Sequence, residues 1–262
     1  MSIKISVLGS GSRGNATFIR TDRVSLLIDC GLGPRTLAKR LRAIGEDPDQ
    51  IDAVMITHEH TDHVAGLKSM VKNFSLDVFM SCGTIDGSQA DSYDLNGSGI
   101  VPIVPGRSFT IGDVEVDTVA VPHDAEEPTA FSVRYNGIKV TQLTDLGWIP
   151  DPVADLMKGS DVLILESNHD VDMLRMGPYP WSLKERLVGR NGHLSNATVS
   201  RYLTDSFDGQ AQHIVLAHLS SKNNHPEIAR LEASQALASR GFVETAVSLA
   251  SQDTPSTPIE LG

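Results

Sequence analysis

The chain reads as a mixed α/β protein built on two sheets covered by helices. Three observations predict this. Short runs of β-branched and apolar residues recur from end to end, amphipathic stretches separate them, and strands precede helices in both halves. With 262 residues, 40% of them hydrophobic, the chain can bury a sizeable core. Neither a repeat nor a low-complexity linker interrupts it, so residues 1–262 are read as a single domain.

The elements follow in order. KISVLG (4–9) predicts a strand, and ATFIRT (16–21) with VSLLID (24–29) predicts a hairpin. PRTLAKRLRAIG (34–45) predicts a helix, with Pro34 suited to its first turn and Gly45 to its end. AVMIT (53–57) reads as a buried strand, DHVAGLKSMVKNF (62–74) as one amphipathic helix, and VFMS (78–81) as a short strand. The polar, glycine-rich stretch at 86–99 reads as a loop. VEVDTVAVP (114–122), AFSVRYNG (130–137) and KVTQLTD (139–145) read as strands, with Asn136-Gly137 as a hairpin turn. DVLILES (161–167) and HIVLAHL (213–219) are continuous apolar runs that end in polar residues, as buried strands do. NATVSRYLTDS (196–206) and HPEIARLEASQALASRG (225–241) read as helices, and the tail at 251–262 as an edge strand or a frayed end.

Composition excludes some classes. There is no run of 18 apolar residues, hence no expected membrane span, and the first residues lack the pattern of a secretory signal. Two cysteines, Cys30 and Cys82, give no disulfide framework, so a cytoplasmic location is expected. A net charge of −11 argues against a broad electrostatic footprint for nucleic acid. It does not argue against a local one, because bound divalent cations reverse the charge inside a carboxylate-lined site. Nothing in the sequence bears on oligomeric state.

Gly9-Ser10-Gly11-Ser12-Arg13-Gly14 fits a dinucleotide-binding fingerprint, but that fingerprint needs a helix next. ATFIRT follows instead, so the loop is read as a tight turn over a site, with Ser10 and Asn15 as candidate substrate contacts.

The densest chemistry lies at THEHTDHVAGL (57–67), where His58, His60, Asp62 and His63 crowd one strand-to-helix loop. As buried groups, each would need its own partner, and metal coordination satisfies them together. His58 and His60, two apart, point the same way in an extended segment. Asp62 and His63 begin the next helix, where the dipole favours an acid. Two ligand pairs on two sides of one loop predict two adjacent divalent metal ions. Nitrogen and oxygen donors without thiolates suit Zn(II) or Mn(II), and Fe(II) is compatible. The remaining ligands should be His, Asp or Glu at strand ends, which points to His123, Asp145 and His218.

His-x-His-x-Asp-His with later His, Asp and His at strand ends resembles the metallo-β-lactamase fold superfamily. The blocks VSLLIDCG, VPHDAEEP, TDLGWIP, LESNHD, YPWSLKERL, GHLSN and LAHLSSKNN are most similar to its YycJ/WalJ subgroup, near the RNase Z, RNase J and PhnP branch. The resemblance implies a four-layer αββα sandwich with the metals at one edge between the sheets. It implies that His58, His60 and His123 hold one ion, that Asp62, His63 and His218 hold the other, and that Asp145 bridges them. Asp29 would support a ligand histidine. Two such ions stabilise the attacking and leaving oxygens of a displacement and supply hydroxide at neutral pH. Asp62 would also steady that hydroxide, and His193 in GHLSN is the candidate general acid. Glu166 is a candidate for orienting His193, and His169 for supporting a ligand or meeting phosphate. His213 and His225 are assigned no role.

The subgroup implies a phosphodiesterase acting on nucleic acid, with DNA exonuclease action as the expectation. Lys184, Arg186 and Arg190, with Arg175 and Lys222, are candidate backbone contacts, and Trp181 and Tyr179 could stack on a base. A solvated helix face and a packed tryptophan are the plainer account of the same residues. The alternative function is a small-molecule hydrolase of this fold, cleaving a cyclic phosphodiester, a lactone or a thioester. A non-catalytic binding protein would be expected to lack one of the seven ligands. Redox use of the fold would place Glu where His60 stands.

Overall fold

The structure, a computed structural model, describes residues 2–262, which fall into two compact units. The first contains residues 2–120, Ala125–Ile138 and Ser251–Gly262, and the second contains Val121–Asp124 and Lys139–Ala250.

In the first unit, β1 (Ile3–Gly9), β2 (Ala16–Arg20) and β3 (Ser25–Ile28) form an antiparallel meander. Helix α1 (Pro34–Ala43) follows, and β4 (Ala53–Met55) joins β3 in parallel. Then come α2 (Thr61–Val64), α3 (Leu67–Asn73), β5 (Asp77–Ser81), α4 (Cys82–Ser88) and β6 (Gly99–Ile103), with β4, β5 and β6 parallel. Strands β7 (Phe109–Ile111), β8 (Val114–Ala120) and β9 (Thr129–Tyr135) form an antiparallel ribbon. Every residue of β3 and β4 is buried, as parallel pairing beneath helices requires. Leu37 and Leu41 of α1 and Met70 and Val71 of α3 pack into one core with Phe18, Leu27 and Val54.

The second unit is a parallel ladder of β10 (Ile138–Leu143), β11 (Val162–Glu166), β12 (His213–Ala217) and β13 (Ala246–Leu249). Helices α5 (Asp151–Met157), α6 (Val171–Met176), α7 (Trp181–Val188), α8 (Asn196–Asp205) and α9 (Pro226–Ser239) connect these strands. The last strand, β14 (Ile259–Leu261), returns to the first unit and pairs antiparallel with β1 at the sheet edge. Among the described residues no helix is long and apolar enough to cross a membrane.

Two differences from the sequence expectation have physical causes. The stretch 62–74 is not one helix but α2 and α3, broken at Gly66. Gly66 N donates to Cys30 O at 2.7 Å, and a Cβ there would lie 2.2 Å from Leu32 O, so the chain must bend against that backbone. The stretch read as a loop at 86–99 begins inside α4, whose Ser81 cap accepts from Thr84 N at 3.2 Å. That helix stops at Gln89, where φ is +55°.

The strands end earlier than their apolar runs. β4 stops at Met55, β10 at Leu143 and β12 at Ala217, so His58, Asp145 and His218 sit beyond the carboxyl ends of parallel strands. Ligand sites of α/β sheets open at these ends.

Candidate metal centre

In the first unit the donors converge from one loop. His58 Nε2 lies 3.0 Å from His60 Nδ1, and the His58 ring is 4.1 Å from that of His63. Two nitrogens on one tetrahedral zinc ion, each at about 2.05 Å, stand roughly 3.3 Å apart. The pair is therefore already spaced for one ion. Asp62 Oδ2 lies 3.6 Å from His63 Nε2.

Buried neighbours aim these rings. Asp29 Oδ2 accepts from His63 Nδ1 at 2.8 Å, which turns Nε2 of that ring away from the carboxylate. The same carboxylate accepts from Thr57 N and Thr57 Oγ1, each at 2.9 Å. With its hydroxyl proton committed there, Thr57 Oγ1 accepts from His58 Nδ1 at 2.9 Å, so the lone pair of His58 falls on Nε2. Asn15 Nδ2 reaches Asp62 Oδ2 at 3.2 Å and His63 Nε2 at 3.0 Å, while its Oδ1 accepts from Gly11 N at 2.7 Å. Ser10 is buried, and its backbone N donates to Ser251 O at 3.1 Å.

The second unit brings five candidates together. Asp145, Glu166, His193 and His218 each offer a donor atom, all within 4.8 Å of one another. Asp145 Oδ1 lies 3.4 Å from His218 Nδ1, 3.6 Å from His193 Nδ1 and 4.0 Å from His123 Nε2. His123 Nδ1 donates to Gly192 O at 3.3 Å, leaving Nε2 on the Asp145 side. Glu166 Oε1 accepts from His193 Nδ1 at 2.7 Å and from His218 Nδ1 at 3.0 Å, and Oε2 accepts from Leu146 N and Leu194 N. Every candidate donor in both units is nitrogen or carboxylate oxygen, a set that suits a borderline or hard divalent ion.

The electrostatics of Glu166 and His193 agree. Burial pushes the Glu166 carboxyl up, but the facing His193 and the bonds from His193 and His218 outweigh it and hold it at about 2. Burial lowers His193, and the Glu166 charge and hydrogen bond more than reverse this, so its value is raised. His169 is lowered by burial. Its backbone bridges to Ser195, and its ring feels the charges of Glu166 and His193.

Three of the residues singled out hold left-handed backbone without being glycine: Asp29 (φ +65°), Asp145 (φ +62°) and His218 (φ +55°). Such conformations persist only where surrounding structure over-determines them, and they cluster at functional sites.

The other candidate substrate contacts, Trp181, Lys184, Arg186 and Lys222, lie on the second unit, whereas Ser10 and Asn15 are buried in the first. Trp181 is 67% exposed, and its Nε1 donates to Glu185 Oε1 at 2.8 Å. With Val171, Leu174, Arg175 and Lys184 it lines an apolar cavity of about 220 Å³. Arg186 pairs with Asp124 at 2.8 Å, and both line a second cavity of about 490 Å³ with Arg190 and Asn191. Lys222 is exposed on the turn after His218. Thr57, Asn168, Asn196 and Asn224 escaped the sequence reading. Their only signal was position, beside THEHTDH, LESNHD, GHLSN and LSSKNN.

Comparison with known proteins extends this geometry. Residues 25–219 match the beta-lactamase superfamily domain. The chain is 35% identical over 242 residues to a Bacillus anthracis protein named exodeoxyribonuclease YycJ, covering 92% of each chain. It is 31% identical to exodeoxyribonuclease WalJ of Streptococcus pneumoniae, covering 88% of this chain and 87% of that one. Among solved structures it resembles the metallo-beta-lactamase fold protein YhfI of Bacillus subtilis. That match has a TM-score of 0.75 and 19% identity, and covers 98% of this chain and 99% of the other.

Proposed function

The chain belongs to the beta-lactamase superfamily, and on that premise we propose that it is a dinuclear metal-dependent phosphodiesterase that degrades DNA as an exonuclease. One observation carries the reading. Each unit presents a set of thiolate-free nitrogen and oxygen donors, and in the second a buried acid grips a histidine beside those donors. Likeness to two proteins named exodeoxyribonucleases over most of the chain supports the choice of DNA as the substrate.

Both units are taken as one catalytic domain. By family resemblance, His58, His60 and His123 would hold one ion, Asp62, His63 and His218 would hold the other, and Asp145 would serve both. Zn(II) or Mn(II) fits these donors. When bound, the ions supply positive charge for a phosphodiester and lower the pKa of water toward neutrality. The chain supplies the rest. Asp29 and Glu166 each accept a hydrogen bond from Nδ1 of a ligand histidine and so present Nε2 as its donor atom. Asp62 accepts a hydrogen bond from the attacking water. His193, whose protonated form the Glu166 charge and hydrogen bond favour, hands the Nε2 proton to the leaving alkoxide. Trp181, Lys184, Arg186 and Lys222 are assigned to stacking on and neutralising the DNA strand, with Ser10 and Asn15 as further substrate contacts; Asn15 touches Asp62 and His63. His169 is assigned to supporting a ligand or meeting substrate phosphate. Two free cysteines, one buried and one exposed, fit a reducing cytoplasm.

The test compares end-labelled single- and double-stranded DNA with bis-p-nitrophenyl phosphate, using metal-analysed protein restored with Mn(II) or Zn(II). Progressive shortening of DNA that is lost in His58→Ala supports the proposal and gives its polarity. Cleavage of the small diester with DNA left intact replaces it with a small-molecule phosphodiesterase.

A further inference from the structure

Glu166, His193 and His218 stand at three loops of the second unit: Glu166 closes β11 ahead of 167–170, His193 lies in 193–195 before α8, and His218 opens 218–225 after β12. Asparagine side chains tie them together. Asn168 touches all three, since its backbone N donates to Leu194 O at 2.8 Å, its backbone O accepts from Ser220 N at 2.7 Å, and its Nδ2 donates to His218 O at 2.9 Å. Behind it, Asn196 and Asn224 exchange reciprocal amide bonds of 2.9 Å. Asn224 Nδ2 also reaches Ser167 O at 2.8 Å and Asn168 O at 3.0 Å, and Asn196 Oδ1 accepts from Ser167 Oγ at 2.7 Å. All four side chains are buried, with exposures of 1% for Ser167, 2% for Asn196 and 7% for Asn168 and Asn224.

We infer that Asn168, backed by the Asn196–Asn224 pair, is the positioning residue that fixes the His218 imidazole for metal binding, an inference that rests on the reading of His218 as a ligand. His218 holds φ of +55°, a conformation a histidine adopts only under constraint. Two groups supply the constraint from opposite ends of the residue. Asn168 holds the main-chain carbonyl, and Glu166 holds Nδ1 of the ring. With both ends fixed, the ring direction is set before any ion arrives. The chemistry requires an amide at 168. A carboxylate there would set one acceptor against another, whereas the amide donates to the His218 carbonyl. The same reasoning applies at 224, where the side chain must donate to main-chain carbonyls and accept from Asn196 Nδ2 at once.

The experiment is a Zn(II) titration against a chromophoric chelator, with the metal-free melting temperature measured in parallel. Asn168→Asp keeps the volume and removes the donor. One bound equivalent should weaken by about 10–100-fold, the second should be little changed, and the metal-free protein should melt within about 5 °C of wild type. Unchanged affinity for both equivalents overturns the inference. So does equal weakening of both together with a larger fall in melting temperature, since that marks a general structural role. Should the aspartate variant fail to fold, Asn168→Ala removes the same donor without adding charge, and the same outcomes apply. His218→Ala tests the underlying reading separately, because retention of both equivalents would remove His218 as a ligand whatever Asn168 does. In the double variant, Asn168→Asp should weaken binding no further than His218→Ala alone, and full additivity overturns the coupling.

Discussion

His193 Nδ1 lies 2.7 Å from Glu166 Oε1, and the carboxylate is wholly buried at the end of β11. Ring, charge and proton are thereby assigned. The Nδ1 proton faces the acid, the acid stays ionised, and a second proton taken up by the ring sits on Nε2, from which it can be given away. Glu166→Gln keeps the shape but removes the charge, and its amide NH2 must then face either His193 or the donors Leu146 N and Leu194 N. DNA cleavage, which expels a poor alkoxide, should fall about 100-fold. Cleavage of bis-p-nitrophenyl phosphate, with its good leaving group, should fall much less. Equal losses on both substrates in steady-state assays, with metal content at the wild-type level, would remove His193 from proton transfer.

The same pair gives the metal-free protein a pH signature. Glu166 is depressed from its ordinary 4.5 to about 2, so its contribution is present above 4.5 and lost as pH falls toward 2. His193 is raised from its ordinary 6.5, so its contribution is present below 6.5 and lost as pH rises through the raised value. The melting-temperature gap between wild type and Glu166→Gln, both stripped of metal, should therefore be widest between pH 4.5 and 6.5. It should narrow on either side. A gap that stays flat with pH would show that the pair does not ionise as a unit.

The sequence displayed residues of the site better than it displayed how they are held. His58, His60, Asp62 and His63 stood out because four donors in six positions have few structural explanations, and β4 ends just before them. Asp145 and His218 stood at the ends of apolar runs, a placement that parallel strands dictate. Asn168, Asn196 and Asn224 left no such mark. An asparagine that donates to a carbonyl is, in sequence, the same letter as one in a surface turn, and only packing separates them. Strand β13 was missed for a related reason, since AVSL is short and its exposed alternation is that of an edge strand. The break between α2 and α3 depended on Gly66 meeting the Cys30–Leu32 backbone, a contact between segments that no local periodicity records.

That kind of contact yields a test at Gly31. A Cβ there would lie 1.6 Å from Asp62 O and 2.7 Å from Asn15 N, both main-chain atoms that no rotamer change can move. Asn15 N donates to Asp62 O at 2.7 Å and Gly31 N donates to Asn15 O at 2.8 Å, so displacement would propagate into the metal-binding loop. Gly31→Ala should cost about 3 kcal/mol or more and lower metal content. Gly33→Ala is the control, because nothing lies within 4 Å of its Cβ position. Denaturant melts that place the two variants at the same midpoint would refute the close approach.

Trp181 offers the sharpest separation of substrate binding from chemistry. Because it is 67% exposed, at the start of α7, Trp181→Ala should leave the melting temperature nearly unchanged. Stacking on a base contributes about 1–3 kcal/mol, so KM for single-stranded DNA should rise by roughly 5- to 150-fold at that energy. Hydrolysis of bis-p-nitrophenyl phosphate, which has no further nucleotides to stack, should be unaffected. Lys184, whose Nζ donates to the Arg175 carbonyl, carries its charge at the rim of the same cavity. Lys184→Gln should weaken DNA binding at low salt and lessen its salt dependence, because one fewer counterion is released. If both variants cleave DNA with wild-type KM while the metal-ligand variants are inactive, the nuclease reading stands and α7 is simply a solvated helix. If DNA binding fails in both with the small diester still cleaved, α7 guides the strand toward His193, whose N donates to Leu187 O at 2.9 Å within that helix.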